Sequence, residues 1–432
     1  MYNLKFNFMK LTFTSGLLLL GGTLAFAQIP QVDSWMLNTT GATASYDYYP
    51  GPPPTTSTVN LTDSADVLTV CTDDDYVYIR ANGLASYHMG PWEMNPNEPA
   101  ADLHTYRFPL DPQEETGTKT SQPEVGALGI AINGVQLYGI GDARSYKSST
   151  NENAGDGDGI WYADAWVSEG ATMDAGGNGH ADGMSTYHYH ANPSALYSDP
   201  STEHSPIIGW AFDGFPIYGP FGYANPMDAS SPVVRMESGY ELRTMSDRTT
   251  LPDGSTSTPP GPSDFGAFPL GTYQQDYEFT DAGDLDEYNG RFCITPDFPS
   301  GIYCYFLATD GSGDPAFPYL TGFEYYGTVS VTEIGPMSGN ITIPSGTCAD
   351  DLSTPENATE FLSVYPNPVI NQLNFDGVTS GTYQIFDQLG REVMNGIVED
   401  SYGVNVSTLT PGTYLIQILS EEKKYFSRFI KE

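Results

Sequence analysis

Four of the six histidines in this 432-residue chain fall in one short stretch, at His180, His188, His190 and His204. Two of them stand in Tyr187-His188-Tyr189-His190. Alternate side chains of an extended strand share a face, so His188 and His190 are expected to point one way and the two tyrosines the other. His180 follows the run Asp174-Ala175-Gly176-Gly177-Asn178-Gly179, which predicts a glycine-rich loop presenting a third imidazole. Three converging imidazoles suit a transition metal, with copper and zinc the expected ions. With no thiolate close by, three nitrogen ligands would leave a coordination position open, as catalytic zinc sites do. The same spacing also suits an aromatic-rich strand whose histidines only pack and hydrogen-bond.

Further along, Asp213-Gly214-Phe215-Pro216-Ile217-Tyr218-Gly219-Pro220 combines tight-turn residues with two polar side chains. Asp213, Tyr218 and His204 are candidates for a supporting shell around the imidazoles, with Asp213 a candidate fourth ligand, partner of a ligand or general base. The bland alternative is a hairpin turn opened by Asp213, with Tyr218 in the core. A separate loop, Asn151-Glu152-Asn153-Ala154-Gly155-Asp156-Gly157-Asp158-Gly159, alternates oxygen donors with glycine. Asn151, Asn153, Asp156 and Asp158 are therefore candidate calcium ligands, although the loop lacks the spacing and terminal Glu of an EF-hand. No Gly-x-Ser-x-Gly elbow, phosphate-binding loop or His-Glu-x-x-His motif occurs in the sequence.

The elements that must position these residues read as strands. Short apolar runs recur between turn residues, as in Val67–Val70, Val77–Arg80, Ile130–Ile132 and Val135–Tyr138. Asn133-Gly134 between the last two is a strong hairpin signal. Sustained helical periodicity is nearly absent, and no internal repeat is evident. The expected fold class is all-β, with a large irregular sandwich-like body over 28–348 and a long loop at 249–263. A polar linker at 349–360 should separate it from a small C-terminal β-sandwich at 361–432. Tyr and Trp are plentiful enough for a sugar-stacking surface, though they also suit β cores.

The ends and the charge bound the setting. Lys5 and Lys10, the apolar segment around Leu17–Leu20, and Ala25-Phe26-Ala27 have the order of a secretory signal, removed so that the mature chain begins at Gln28. The later chain has no apolar stretch long enough for a spanning helix. Cys71, Cys293, Cys304 and Cys348 then enter an oxidising compartment, where three pairings are open and Cys293 and Cys304 are near enough in sequence to bridge adjacent strands. The formal charge is -38. Residues 28–360 hold 46 acidic and 9 basic side chains, against 8 and 5 in the last 72. A body this acidic repels nucleic acid and anionic lipid, and favours cations, high salt or simply solubility.

The last 72 residues resemble the type A C-terminal sorting domain of the type IX secretion system. The resemblance rests on Val364-Tyr365-Pro366-Asn367-Pro368, Asp387-Gln388-Leu389-Gly390-Arg391, Leu409-Thr410-Pro411-Gly412-Thr413-Tyr414 and the basic Lys423-Lys424. It implies passage through the periplasm and recognition by the type IX machinery, with release outside the cell or attachment to the surface, by way of a surface glycan or the envelope. The body resembles the YHYH family. Beyond Tyr187–His190, the similarity takes in Ala131–Val135, Met173–Ala175, His204–Gly209, Asp213–Pro220, Asn289-Gly290-Arg291-Phe292 and Thr295-Pro296, covering roughly 125–330. Family members often carry a cysteine before the glycine-His element, where this chain has none. The resemblance implies a domain but no particular reaction. Three functions stay open: a metal-binding secreted protein, a metal-dependent extracellular enzyme, and a structural or adhesive β protein without metal.

Overall fold

The computed structural model describes residues 29–48, 56–93, 95–348, 359–361, 364–375, 378, 380–386, 392–398, 403–420 and 423–432. The expected signal segment, linker residues 349–358 and the Asp387–Arg391 motif lie outside the described residues. The chain divides into two compact units, one holding 74–341 with the residues before Cys71, the other 342–432 with 71–73. Both are built almost wholly from strands joined by turns, as the short apolar runs require. Among the described residues no helix is long and apolar enough to cross a membrane.

A mixed eight-stranded sheet forms the centre of the first unit. Its order is Gly179–Ala181, Tyr187–Tyr189, Gln136–Tyr138, Ala127–Ala131, Ile207–Ala211, Pro216–Tyr218, Ile302–Phe306 and Gly290–Cys293. The expected Asn133-Gly134 turn is present: Gly134 has φ +82°, and its N–H donates to the Ala131 carbonyl at 2.8 Å. A Cβ at Gly134 would lie 2.4 Å from the Ala81 Cβ, so the position needs glycine for space as well as for φ.

This sheet is an internal duplication, and the expectation of no repeat is corrected here. Gly-x-Ala-x-(Asn/Asp)-Gly-x-x-x-Tyr-Gly occurs at Gly129–Gly139 and again 80 residues later at Gly209–Gly219. The two hairpins meet antiparallel, with Ala131 opposite Gly209, Ile130 opposite Trp210 and Gly129 opposite Ala211. Residue i therefore meets the repeat of residue j, which is the signature of a two-fold relation centred on Ile130 and Trp210. Backbone bonds obey it too: Ile132 N–H donates to Ile208 O, and Phe212 N–H to Leu128 O.

The relation extends to the outer strands. Tyr187–Tyr189 runs parallel to Gln136–Tyr138, and Ile302–Phe306 runs parallel to Pro216–Tyr218. Each carries an antiparallel edge strand, with His180 opposite His188 in one half and Arg291 opposite Cys304 in the other. Asn178 and Asn289, both left-handed, precede those edge strands and accept from the N–H groups of His190 and Phe306, each at 3.1 Å. Tyr187-His188-Tyr189-His190 thus has the counterpart Tyr303-Cys304-Tyr305-Phe306.

A further layer packs on this centre. The strands Tyr76–Ala81 and His104–Pro109 pair antiparallel, and Tyr106 and Phe108 stack on Phe212. The main body core is a cluster that includes Trp92, Tyr106, Phe108, Ile130, Trp210 and Tyr305, and a smaller cluster holds Tyr146, Trp161 and Tyr273. In the second unit, a five-stranded sheet and a three-stranded sheet enclose Val369, Leu373, Ile385, Val404, Ile416, Ile418 and Phe429. Of the three cysteine pairings left open, the structure forms Cys71–Cys348. Cys293 and Cys304 are buried free thiols on neighbouring strands, offset diagonally rather than bonded.

Candidate metal centre

The three clustered imidazoles converge. His188 lies within the Tyr187–Tyr189 strand and His190 one residue past its end, so the two share a face as expected. His180 differs from expectation, because it sits in a strand directly opposite His188 rather than in a loop. The glycines explain this. A Cβ at Gly179 would be 2.2 Å from the His188 carbonyl oxygen, so only glycine lets the edge strand close on its neighbour. Each of the three offers a ring nitrogen, and these lie within 4.8 Å of one another.

Hydrogen bonds assign the tautomers. His188 Nδ1 lies 3.0 Å from the Thr186 carbonyl, and His190 Nδ1 lies 3.2 Å from the Gly139 carbonyl. Carbonyl oxygens only accept, so both Nδ1 atoms donate. His180 Nδ1 is 2.9 Å from Thr172 Oγ1, whose own hydrogen goes to the Glu169 carbonyl at 2.7 Å. Its Nδ1 therefore donates as well. All three Nε2 lone pairs are left free, and His188 Nε2 stands 3.0 Å from His190 Nε2. Burial, followed by neighbouring imidazoles, lowers the pKa of His188 well below the usual range and that of His190 to about 3. Burial lowers His180 to about 4. The neutral form, which is the metal-ligand form, is the form held at neutral pH.

Tyr187 and Tyr189 occupy the other face, where Tyr187 donates to buried Asp174 and meets the Tyr87 hydroxyl at 2.8 Å. Asp174 also accepts from the N–H groups of Gly90, Gly176 and Gly177. That carboxylate holds the glycine turn leading into His180. Asn133 donates to Tyr189 Oη at 3.0 Å.

The expected supporting residues lie elsewhere. Asp213 is buried in the other half of the duplication, accepting from Tyr305 Oη at 2.6 Å and the Gly327 N–H at 2.9 Å. Tyr218 donates to Asp297 at 2.9 Å, and His204 packs on Tyr218 and Tyr223 with its Nδ1 2.8 Å from the Ser205 carbonyl. The repeat counterpart of Tyr218 is the residue that touches the site: the Tyr138 ring stacks on His188 at 3.9 Å.

The acidic glycine loop does not gather its oxygens. It forms a hairpin in which Glu152–Ala154 pairs with Gly141–Lys147. Asn151 accepts from Tyr146 Oη, Asn153 from Tyr273 Oη, Asp156 from Lys147 Nζ and Asp158 from the Ser148 N–H. Four different donors take the four candidate calcium ligands, because pairing directs them to separate neighbours.

Sequence reasoning missed Glu169. It ends the short helix Ala165–Glu169, and its Oε2 lies 3.6 Å from His180 Nε2 and 3.8 Å from His190 Nε2. Burial, then the Asp142 charge, raises its carboxyl to about 7. The triad and Glu169 line a cleft of about 530 Å³ that also exposes Arg144, Asn97 and Asp182. No motif announces Glu169, because its approach depends on how the chain between the paired strands folds back.

Residues 105–315 match the family described as YHYH protein, and residues 363–432 match the secretion system C-terminal sorting domain. No curated protein matches the chain. Among solved structures, PorZ is described as an essential bacterial surface component of the type-IX secretion system of Porphyromonas gingivalis. It aligns at 12% identity over 87% of this chain and 61% of its own, with a TM-score of 0.15 that carries no weight for fold or function. The sorting domain implies delivery by type IX machinery as a secreted or cell-surface protein. Residues 105–315 belong to the YHYH family, and residues 363–432 are a C-terminal sorting domain that directs the chain to secretion.

Proposed function

We propose that this secreted or surface protein binds one transition metal ion, copper or zinc, through His180, His188 and His190. The observation that carries the reading is the set of three free Nε2 lone pairs. Each Nδ1 is already committed to an oxygen, so the three ligand atoms are aimed at a shared point. Two of those lone pairs face each other at 3.0 Å, close enough to be bridged by one ion. The neighbouring half of the duplication places Arg291, Cys304 and Phe306 at the matching positions, so we assign one metal per chain. In the same reading, export passes through the periplasm and ends in release or in attachment to a surface glycan or the envelope.

The test is elemental analysis of the exported protein, purified without an affinity tag, beside His188→Ala and His204→Ala variants. One equivalent of metal is expected in the wild type and His204→Ala, and none in His188→Ala. Equal metal in all three, or none in the wild type after exposure to zinc and copper, would overturn the reading.

A metal-dependent enzyme is a second reading, favoured by the cleft of about 530 Å³ over the triad. A purely structural ion needs no such opening, whereas a catalytic one keeps a position for substrate. Its substrate would be small and polar, given Asn97, Asp182 and Arg144 on the walls.

A further inference from the structure

Resting on that reading, we infer that Glu169 is the fourth protein ligand, making the site a three-histidine, one-carboxylate centre for a divalent ion. Glu169 Oε2 is 3.6 Å from His180 Nε2 and 3.8 Å from His190 Nε2. Both separations are too long for a hydrogen bond. They are near the roughly 3.3 Å that separates two ligand atoms, each about 2.0–2.1 Å from one tetrahedral ion. Among the described residues no protein group donates a hydrogen bond to this carboxylate, although its side chain is only 26% exposed.

The segment carrying Glu169 is fixed in place. Asp164 caps the helix by accepting from the Val167 N–H at 2.9 Å, and Tyr319 Oη donates to the same buried carboxylate. The Ala165 N–H donates to the Ile140 carbonyl at 2.7 Å, tying the helix to the chain just beyond Gly139, which orients His190. At its other end, the Thr172 hydroxyl links the Glu169 carbonyl to His180 Nδ1. Ligand and carboxylate are therefore positioned by one continuous set of bonds. Three neutral imidazoles bring no charge, so Glu169 is the one charged ligand offered to a divalent ion, with the Asp142 and Asp182 carboxylates lining the same cleft. An oxygen ligand also favours zinc(II) and copper(II) over copper(I), which prefers softer donors.

Zinc affinity is measured on the full exported chain by competition with a chromophoric chelator, and copper(II) coordination by electron paramagnetic resonance. Glu169→Gln keeps the shape and removes the charge, and should bind zinc at least ten-fold more weakly with an altered copper(II) spectrum. Glu169→Asp keeps the charge but shortens the reach, and should show the same two changes in smaller measure. Thermal melts of chelated protein should be alike for the three chains. If the wild type binds metal and either variant matches it in affinity and spectrum, Glu169 is not a ligand, while the triad stands. If the wild type binds neither ion, the triad reading itself fails, and this inference with it.

Discussion

His188 Nε2 and His190 Nε2 lie 3.0 Å apart with neither carrying a hydrogen, because both rings donate through Nδ1 to carbonyl oxygens. In the other half of the sheet the position of His190 is held by Phe306, which raises no such conflict. His190→Phe should therefore melt at least as high as the wild type when both are stripped with a chelator. Zinc at 100 times its dissociation constant stabilises a one-site protein by about 2.7 kcal/mol, and this gain should be present in the wild type and absent in His190→Phe. Calorimetry with and without zinc reads both effects.

The duplication supplies a matched control for the site. Asp174 and Asp286 each take a hydrogen bond from the first tyrosine of their half, Tyr187 and Tyr303. Each also accepts from backbone N–H groups of the adjoining turn. Replacing either by Ala orphans several buried donors and should cost about 3 kcal/mol, measured by denaturant unfolding. Only Asp174→Ala should also weaken zinc binding, by ten-fold or more, because only that turn leads to His180.

Gly179 is a steric gate on the same pair of strands. An added Cβ would meet the His188 carbonyl oxygen at 2.2 Å and the Tyr189 ring at 3.0 Å, so the edge strand must move away. Gly179→Ala should lose most zinc affinity in a titration, and should lower the melting temperature of the metal-free chain as well.

Burial raises the Asp213 carboxyl to about 6, against an unfolded value near 3.8, while bonds from Tyr305, Gly327 and Phe215 pull it the other way. A group whose folded pKa is raised contributes stability that is full below the unfolded value and lost as pH rises through the folded one. The shift corresponds to about 3 kcal/mol lost between roughly pH 4 and pH 7. Asp213→Asn cannot ionise, so its unfolding free energy should lack this component of the slope. The difference between the two chains, measured by denaturant titration at several pH values, should narrow by about that amount as pH rises. A constant difference would show that the folded carboxyl titrates normally.

Passage from the periplasm to the outside should depend on the sorting domain. A chain lacking residues 363–432 should keep the folded body and its metal but remain in the periplasm, as fractionation would show. Normal delivery of the truncated chain to the medium or surface would remove the sorting role.

The strand content, the Asn133-Gly134 hairpin and the shared face of His188 and His190 were legible in the sequence, because they follow from short-range rules of alternation and turn geometry. The secretion module was legible for a similar reason, its motifs being contiguous. Tertiary structure alone decided which tyrosine serves the site. Tyr138 and Tyr218 sit in equivalent repeats, and only the parallel pairing of Gln136–Tyr138 with Tyr187–Tyr189 places Tyr138 on His188. His180 entered a strand instead of a loop because cross-strand pairing with His188, made possible by Gly179, outweighed the local preference of a glycine-rich run. Glu169 reached the triad through the cap at Asp164 and the Thr172 bridge, contacts whose partners lie up to 155 residues away. Spacing along a chain carries no record of such closures, which form only when the apolar faces of the sheet are buried together.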